Sequence, residues 1–534
     1  MRQPVARRGG LPGREVGSVT QVILESALGH VWQTRVLMVI TCYGATVPSL
    51  RRGPGPLVLS ICLFAAYSAV SVMKQTKMQT SAYDLGIFTQ VVESYSRLRL
   101  PISDIKGPGY DILGDHFSPI LVLVAPIYRV FPDPITLLVV QSALLAISGV
   151  PITNLAIDRC GRPWGILIGI AYGLSFGIQQ AASFDFHEVA FAVPLIVVCM
   201  TFLARKRWLA AALSSLPLFL VKEDQALIVL AVGAYIFFRG PRRLGAALSI
   251  AALVVGATTV FLVIPAFNQD HTYAYLSAAG PTNHGVLTGL YLPPEKIGLL
   301  VALTAPTIFL SLASPMVLMV MPSLILRLWA TNPGYWATDL HYNCVLMPIL
   351  FVAFLDALHN LSSRPSVLKT RVVEFVHTSG ITRRIPRSKE LQWQSLTRAF
   401  SACGVLAVAV ATTLTSHPLR CLIQPGFWRV EPDLADARAT LETIPQGAEV
   451  SAANKLAPQL VTHHTVLMFP DEPTADIHPE WVAVKAVPDD WPVPAADQLA
   501  AIQRLPSLGY VEFARGGGVV VYRHSLDSGT RPDN

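Results

Sequence analysis

Among the stretches that set a carboxylate beside an imidazole or an amine are Asp115-His116, Asp185 with His187-Glu188, Lys222-Glu223-Asp224 and Asp270-His271. Two further candidates stand apart. Asp84 follows Tyr83 and precedes Leu85-Gly86-Ile87-Phe88 and Gln90, and His341-Tyr342 follows a loop flanked by aromatic residues. Carboxylates accept protons, ammonium groups neutralise phosphate, and imidazoles do either near neutral pH, so these residue types suit general acid–base work on a phosphate-bearing substrate. Each also has a plainer reading. Asp84 would cap a helix starting at Leu85, and that role coexists with catalysis. Lys222 would form an internal ion pair or meet a lipid headgroup; acting on substrate, it would pair with a phosphate. His341 would be a satisfied structural residue or bind a phosphate or sugar hydroxyl. Asp115, His116, Asp185 and His187 carry donors for a divalent cation, Mg2+ or Mn2+ before Zn2+ given the carboxylates, but without the spacing of an HExxH helix.

The clusters gain weight from what surrounds them. The 534 residues are 52% hydrophobic and only 14% charged, with a mean hydropathy of +0.48, whereas a soluble chain carries about 25% charged residues. That excludes an ordinary soluble enzyme. Apolar runs near 56–74, 133–157, 163–182, 189–204, 208–221, 225–238, 244–266, 297–312, 315–329, 343–357 and 399–415 predict about eleven helices crossing a membrane. The run 35–50 reads as an interfacial or re-entrant segment beyond a basic N-terminal extension, and 118–131, with Pro119 and Pro126, as a partly inserted helix. The seven cysteines show no CxxC pair or disulfide framework and read as small apolar residues.

Orientation follows from basic residues in short loops. Arg51-Arg52, Arg159 with Arg162, Arg205-Lys206-Arg207 and Arg239 with Arg242-Arg243 fall on alternate connections, which places them together on the cytoplasmic side. The loop 358–398, with eight basic residues against Glu374 and Glu390, joins them and reads as a topogenic loop near anionic lipid, with no nucleic-acid role. The carboxylate-bearing connections then share the opposite, outer face of a plasma (inner) membrane.

From 417 the apolar runs stop. The tail, residues 417–534, holds nine basic and fifteen acidic residues, a net charge of −6 against +13 for the rest. Extended stretches at 449–453, 465–469 and 481–486, helical ones at 436–444, 455–461 and 494–505, and a glycine-turned hairpin from Tyr510 to Tyr522 predict a small extracytoplasmic α/β domain above the acidic loops. The fold class expected is therefore mainly α, a polytopic transmembrane bundle over 56–416 with this C-terminal domain.

Taken as a set, Tyr83 to Gln90, Gly114 to Pro119, Asp185 to His187, Lys222 to Asp224 and His341-Tyr342 resemble the motifs of a prokaryotic family of predicted multi-spanning membrane proteins without an assigned activity. The resemblance covers about 56–525. That family in turn resembles, more distantly, the GT-C membrane glycosyltransferases. The likeness implies a polyprenyl-phosphate-linked sugar donor, an envelope glycan or lipid acceptor, and Asp84 as the base that deprotonates the acceptor, with inversion. Asp115, His116 and Lys222 would steady the departing phosphate or hold a metal. Tyr83, Gln90, Asp185, His187, Glu188, Glu223, Asp224, His341 and Tyr342 would line the same site. The paired acidic motif of some GT-C enzymes is not reproduced, because Leu85 follows Asp84.

No Walker A, Rossmann or GxSxG motif occurs, so nucleotide, dinucleotide and serine-hydrolase chemistry lack support. The alternatives are a transporter or flippase of a lipid-linked or polar solute, which would place ionisable groups near the midplane on broken helices, and a non-catalytic envelope scaffold.

Overall fold

The computed structural model describes residues 53–275, 288–363, 387–470 and 479–525. The segment 35–50 and the basic stretch 364–386 lie outside the described residues. The chain is mainly helical with a small C-terminal sheet. Among the described residues, five helices are long and apolar enough to cross a membrane: Gly55–Thr76 (α1), Pro134–Cys160, Arg242–Phe267, His341–Ser362 and Gln394–Thr415. A sixth arises if Arg162–Gly173 and Phe176–Ser183, bent by 46°, count as one.

Other apolar runs fold into shorter pieces, for reasons local to each. In the run 208–221, Trp208–Ser215 gives way to a tighter turn, Leu216–Leu220, because Pro217 has no amide hydrogen to continue the ladder. In 297–312 the helix stops at Thr304. Pro306 disfavours helix at the residue before it, and Ile308 and Phe309 take positive φ of 48° and 59°. The stretch 118–131 holds a 3-10 turn, Pro119–Leu123, and a six-residue helix, Ala125–Val130.

Pro134–Cys160 organises the bundle. Asp133 accepts a hydrogen bond from Ile135 N at 2.7 Å, with Pro134 in the first turn, a favoured helix start. Gly165 of the next helix packs so close that a Cβ there would lie 2.5 Å from Ile157 N, the small-residue approach that lets apolar helices touch backbone to backbone. Near its start, Gln141 Nε2 donates to Ala181 O at 2.9 Å and Gln141 Oε1 accepts from His187 N at 2.9 Å. Near its end, Arg159 donates to Ala204 O at 2.7 Å and Asp158 pairs with Arg205 at 2.8 Å. Roughly 27 Å of helix separates Gln141 from Arg159, so the acidic and basic connections sit at opposite ends.

The C-terminal sheet runs β2-β1-β3-β5-β4. β1 (Glu449–Ala453) is parallel to β2 (Thr465–Phe469) and β3 (Trp481–Lys485), while β5 (Val519–His524) is antiparallel to β3 and β4 (Tyr510–Gly516). These strands fall on the stretches expected to be extended and on the expected hairpin. Gly517 and Gly518, with φ of 55° and 76°, supply the two positive-φ positions a tight hairpin requires. Phe469, Val482, Val484, Leu505, Tyr510 and Val520 form its core.

This module rests on the end of the bundle that carries the acidic connections. Gln75 Nε2 at the end of α1 donates to Pro458 O at 3.2 Å, Arg438 donates to Thr76 O, and Gln90 Nε2 donates to Val466 O of β2 at 2.9 Å. The described cysteines are all free, with Cys160, Cys199 and Cys344 buried and Cys62 and Cys403 exposed.

Candidate active site

After α1 the chain turns through Ser81–Gly86 into α2 (Ile87–Ser96). Asp84 occupies the turn at φ 83°, ψ −85°, near the strained γ-turn of positive φ. A side chain held there costs on the order of 1–3 kcal/mol and persists only where its surroundings impose it. The capping role expected for Asp84 does not occur. α2 starts at Ile87, Gly86 is its N-cap, and no side-chain cap bond forms. The partly exposed Asp84 carboxylate takes no hydrogen bond or ion pair among the described residues. Burial, then Asp185 and Glu188, push its pKa up to about 7 against the pull of Lys222 and Lys74.

Asp185 anchors the turn from below. Its Oδ2 accepts from Ser81 N at 2.8 Å and Ser81 Oγ at 2.6 Å, and its Oδ1 lies 3.0 Å from Lys74 Nζ. Beside it, the fully buried Glu188 meets Lys222 Nζ at 3.0 Å and His187 Nδ1 at 2.8 Å. Burial disfavours the Lys222 ammonium, but Glu188, Glu223 and Asp224 outweigh that and hold its pKa well above the usual lysine value. The His187 ring stacks on His341 at 3.8 Å. His341 is 4% exposed and, among the described residues, neither of its ring nitrogens has a hydrogen-bond partner.

Glu223 gathers three connections. Its Oε1 lies 2.7 Å from His116 Nδ1 and accepts from Tyr273 OH at 2.9 Å, and its Oε2 accepts from Phe117 N at 3.0 Å. Burial raises this carboxyl, yet His116 and Lys222 prevail and bring it down to about 2. Tyr275 stacks on His116 at 4.5 Å and donates to Asp115 Oδ1 at 3.3 Å, whose other oxygen pairs with Lys106 at 3.2 Å. Asp224 accepts from Gln225 at 3.0 Å.

The structure thus brings Asp84, Asp185, His187, Glu188, Lys222, Glu223, His116, Asp115, His341 and Tyr342 into one electrostatically linked cluster. Tyr83 stands at its edge, its ring 5.7 Å from Trp491 and 5.8 Å from Lys106 Nζ. Gln90 is committed to the fold: besides Val466, it accepts from Ser103 Oγ at 2.8 Å and Ile105 N at 3.1 Å. Asp115, His116, Asp185 and His187 each have a side-chain partner: Lys106, Glu223, Lys74 and Glu188. Among the described residues no three His, Cys, Asp or Glu side chains gather at ligand spacing.

Sequence reasoning passed over Lys74, Lys106, Tyr273, Tyr275 and Arg327. The signal for Arg327 was its position inside an apolar run, where an ionisable residue is costly and seldom idle. It is buried and donates to Tyr335 O at 2.8 Å, Tyr342 O at 3.3 Å and Asn343 Oδ1 at 2.9 Å, with no carboxylate pair among the described residues. Lys74 lies in the last turn of α1 and Lys106 in the connection that follows, and neither is adjacent to a carboxylate in sequence.

The family model described as "Predicted membrane protein (DUF2079)" matches residues 74–521. The chain belongs to this family. Every residue of the DUF2079 cluster lies within the match. No curated protein matches the sequence. Among solved structures, the chain is similar to ArnT from Cupriavidus metallidurans bound to undecaprenyl phosphate, with TM-score 0.50 and 14% identity over 90% of this chain and 100% of that one. ArnT of the same organism in the apo state gives TM-score 0.45 and 14% identity over 88% and 99%. At such identity the first likeness shows a shared, ArnT-like fold for this DUF2079 protein.

Proposed function

We propose that this protein is a GT-C-like glycosyltransferase that moves a sugar from a polyprenyl-phosphate-linked donor to an envelope acceptor on the outer face of the plasma membrane. The observation that carries the reading is Asp84: a carboxylate without a partner among the described residues, in a strained turn, with a pKa near 7 and the cations Lys222 and Lys74 acting on it. A general base works best when its pKa is close to the ambient pH. The donor class is supported by the fold shared with ArnT, a structure of which holds undecaprenyl phosphate.

In this mechanism the acceptor hydroxyl oxygen attacks the anomeric carbon from the face opposite the phosphate. The new C–O bond forms as the bond to the phosphate oxygen breaks, the hydroxyl proton passes to Asp84, and the configuration inverts. Negative charge grows on the leaving phosphate, where Lys222 and the carboxylate-free Arg327 supply positive charge that needs no rearrangement. His341, whose ring nitrogens have no partner among the described residues, offers them to a hydroxyl of the donor. No step is routed through a metal. The C-terminal domain lies on the outer side in this reading and lines the acceptor approach.

Asp84→Asn tests the proposal. Purified variant and wild-type protein, matched for folding, are given polyprenyl-phosphate sugars, and release of the polyprenyl phosphate is followed. The expected loss is about a hundred- to ten-thousandfold; equal turnover would remove Asp84 from the chemistry. Among the described residues, the bend between Gly173 and Phe176 suits a flippase instead. In that case Asp84→Asn protein would still exchange lipid between the leaflets of proteoliposomes.

A further inference from the structure

The turn that bears Asp84 is held from two sides, and one of them belongs to the C-terminal module. Ala82 N donates to Asn454 O at 2.7 Å, and Tyr83 N donates to Asn454 Oδ1 at 3.4 Å. The Asn454 side-chain amide in turn donates to Trp491 O at 3.1 Å, and the Trp491 ring meets the edge of Tyr83 at 5.7 Å. Lys455 Nζ donates to Gln79 O at 2.9 Å and to Ser81 Oγ at 3.3 Å. Ser81 is the same residue that donates twice to Asp185 on the bundle side. Residues 79–83 therefore lie clamped between Asp185 and the Asn454-Lys455 corner.

Within the segment, Gly86 N donates to Ser81 O at 3.1 Å, and Ile87 N reaches Ala82 O and Asp84 O. The helix that follows has no side-chain cap, Asp84 is not glycine, and its positive φ is unfavourable for any residue with a Cβ. The contacts from Asn454, Lys455 and Asp185 add an outside constraint to these local bonds. We propose that Asn454 and Lys455 are positioning residues that hold the Asp84 carboxylate in its working conformation, so that the C-terminal module completes the catalytic site. The inference rests on Asp84 being the base. Released from the clamp, the turn would relax and carry Asp84 toward water, away from Asp185, Glu188, Lys222 and Lys74, the charged groups that face it.

The experiment compares full-length wild-type protein, Asn454→Ala/Lys455→Met, Lys455→Arg and Asp84→Asn in lipid nanodiscs. Hydrogen exchange over residues 79–86 should quicken about tenfold or more in the double variant while the helix 134–160 is unchanged. Exchange that is unaltered there would overturn the clamp. An infrared carboxyl titration, with the Asp84 band identified by its absence from Asp84→Asn, should show a midpoint near 7 that falls by about one unit or more in the double variant. Lys455→Arg should restore it. A merely stabilising contact would leave that midpoint fixed, and a fixed midpoint overturns the positioning role. Neither readout requires a substrate. If wild-type protein turns over no polyprenyl-phosphate sugar while both readouts respond, the base reading fails and the clamp stands; if turnover occurs, the double variant should lose about tenfold in kcat at unchanged KM.

Discussion

Replacing Asp84 with asparagine should stabilise the protein at alkaline pH and do nothing at acid pH. An ordinary aspartate titrates near 3.8, and this one near 7 in the folded protein, so the native state binds the proton more tightly than the unfolded chain across that interval. Below pH 4 both states are protonated and the group's contribution is fully present. It is lost as pH rises through 7, where the folded protein must carry an ionised carboxylate that burial, Asp185 and Glu188 disfavour. Asparagine is neutral throughout and tolerates positive φ as well as aspartate does. The shift of about three units caps the effect near 4 kcal/mol, and the partial exposure of Asp84 reduces it to about 1–2 kcal/mol. At about 2 cal/mol/K per residue, that is a gain of roughly 1–2 °C in Tm for a chain of this size at pH 8, vanishing by about pH 4. Scanning fluorimetry at one fixed heating rate reads the difference. An Asp84→Asn protein no more stable than wild type at pH 8 would refute the electrostatic account of the site.

Two further outcomes follow from the buried pairs. Lys222→Met strands Glu188 without its cation and should cost about 3–5 kcal/mol, read as a lower melting temperature and folded yield; adding Glu188→Gln should recover part of it. His341→Phe should leave thermal stability unchanged or raise it, because an unsatisfied buried polar atom costs about 1–3 kcal/mol, while turnover of the lipid-linked sugar falls. A clear drop in stability would mean the His341 nitrogens already have partners.

Local pattern was legible; long-range pairing was not. The strands at 449–453, 465–469 and 481–485 stand on stretches read as extended, and α1, Pro134–Cys160 and the last apolar helix answer to their apolar runs. Prolines spoiled the reading of 208–221 and 297–312 as straight spans, since run length counts apolar residues and ignores missing amide hydrogens. Within the cluster, residue types announced chemistry but not partners. His116 and Glu223 are 107 positions apart and meet at 2.7 Å, while His187 and Glu188, adjacent in sequence, also pair. The sheet order, with parallel β1 and β2 beside an antiparallel hairpin, depends on how the module folds back and has no local signature. Arg327 was hidden because a single cation inside an apolar run hardly alters its hydropathy.

The position of β2 at the border of its sheet has a practical side. A border strand offers unpaired backbone groups to any other chain, a liability folded proteins cover or blunt. Here the Val466 carbonyl is taken by Gln90, a residue of the first connection, not of the sheet's own module. Cut free of the helices, the C-terminal module would present that border bare and pair with copies of itself. The membrane part of the chain thus covers one bond of that border, and the two halves are best expressed, purified and assayed as one.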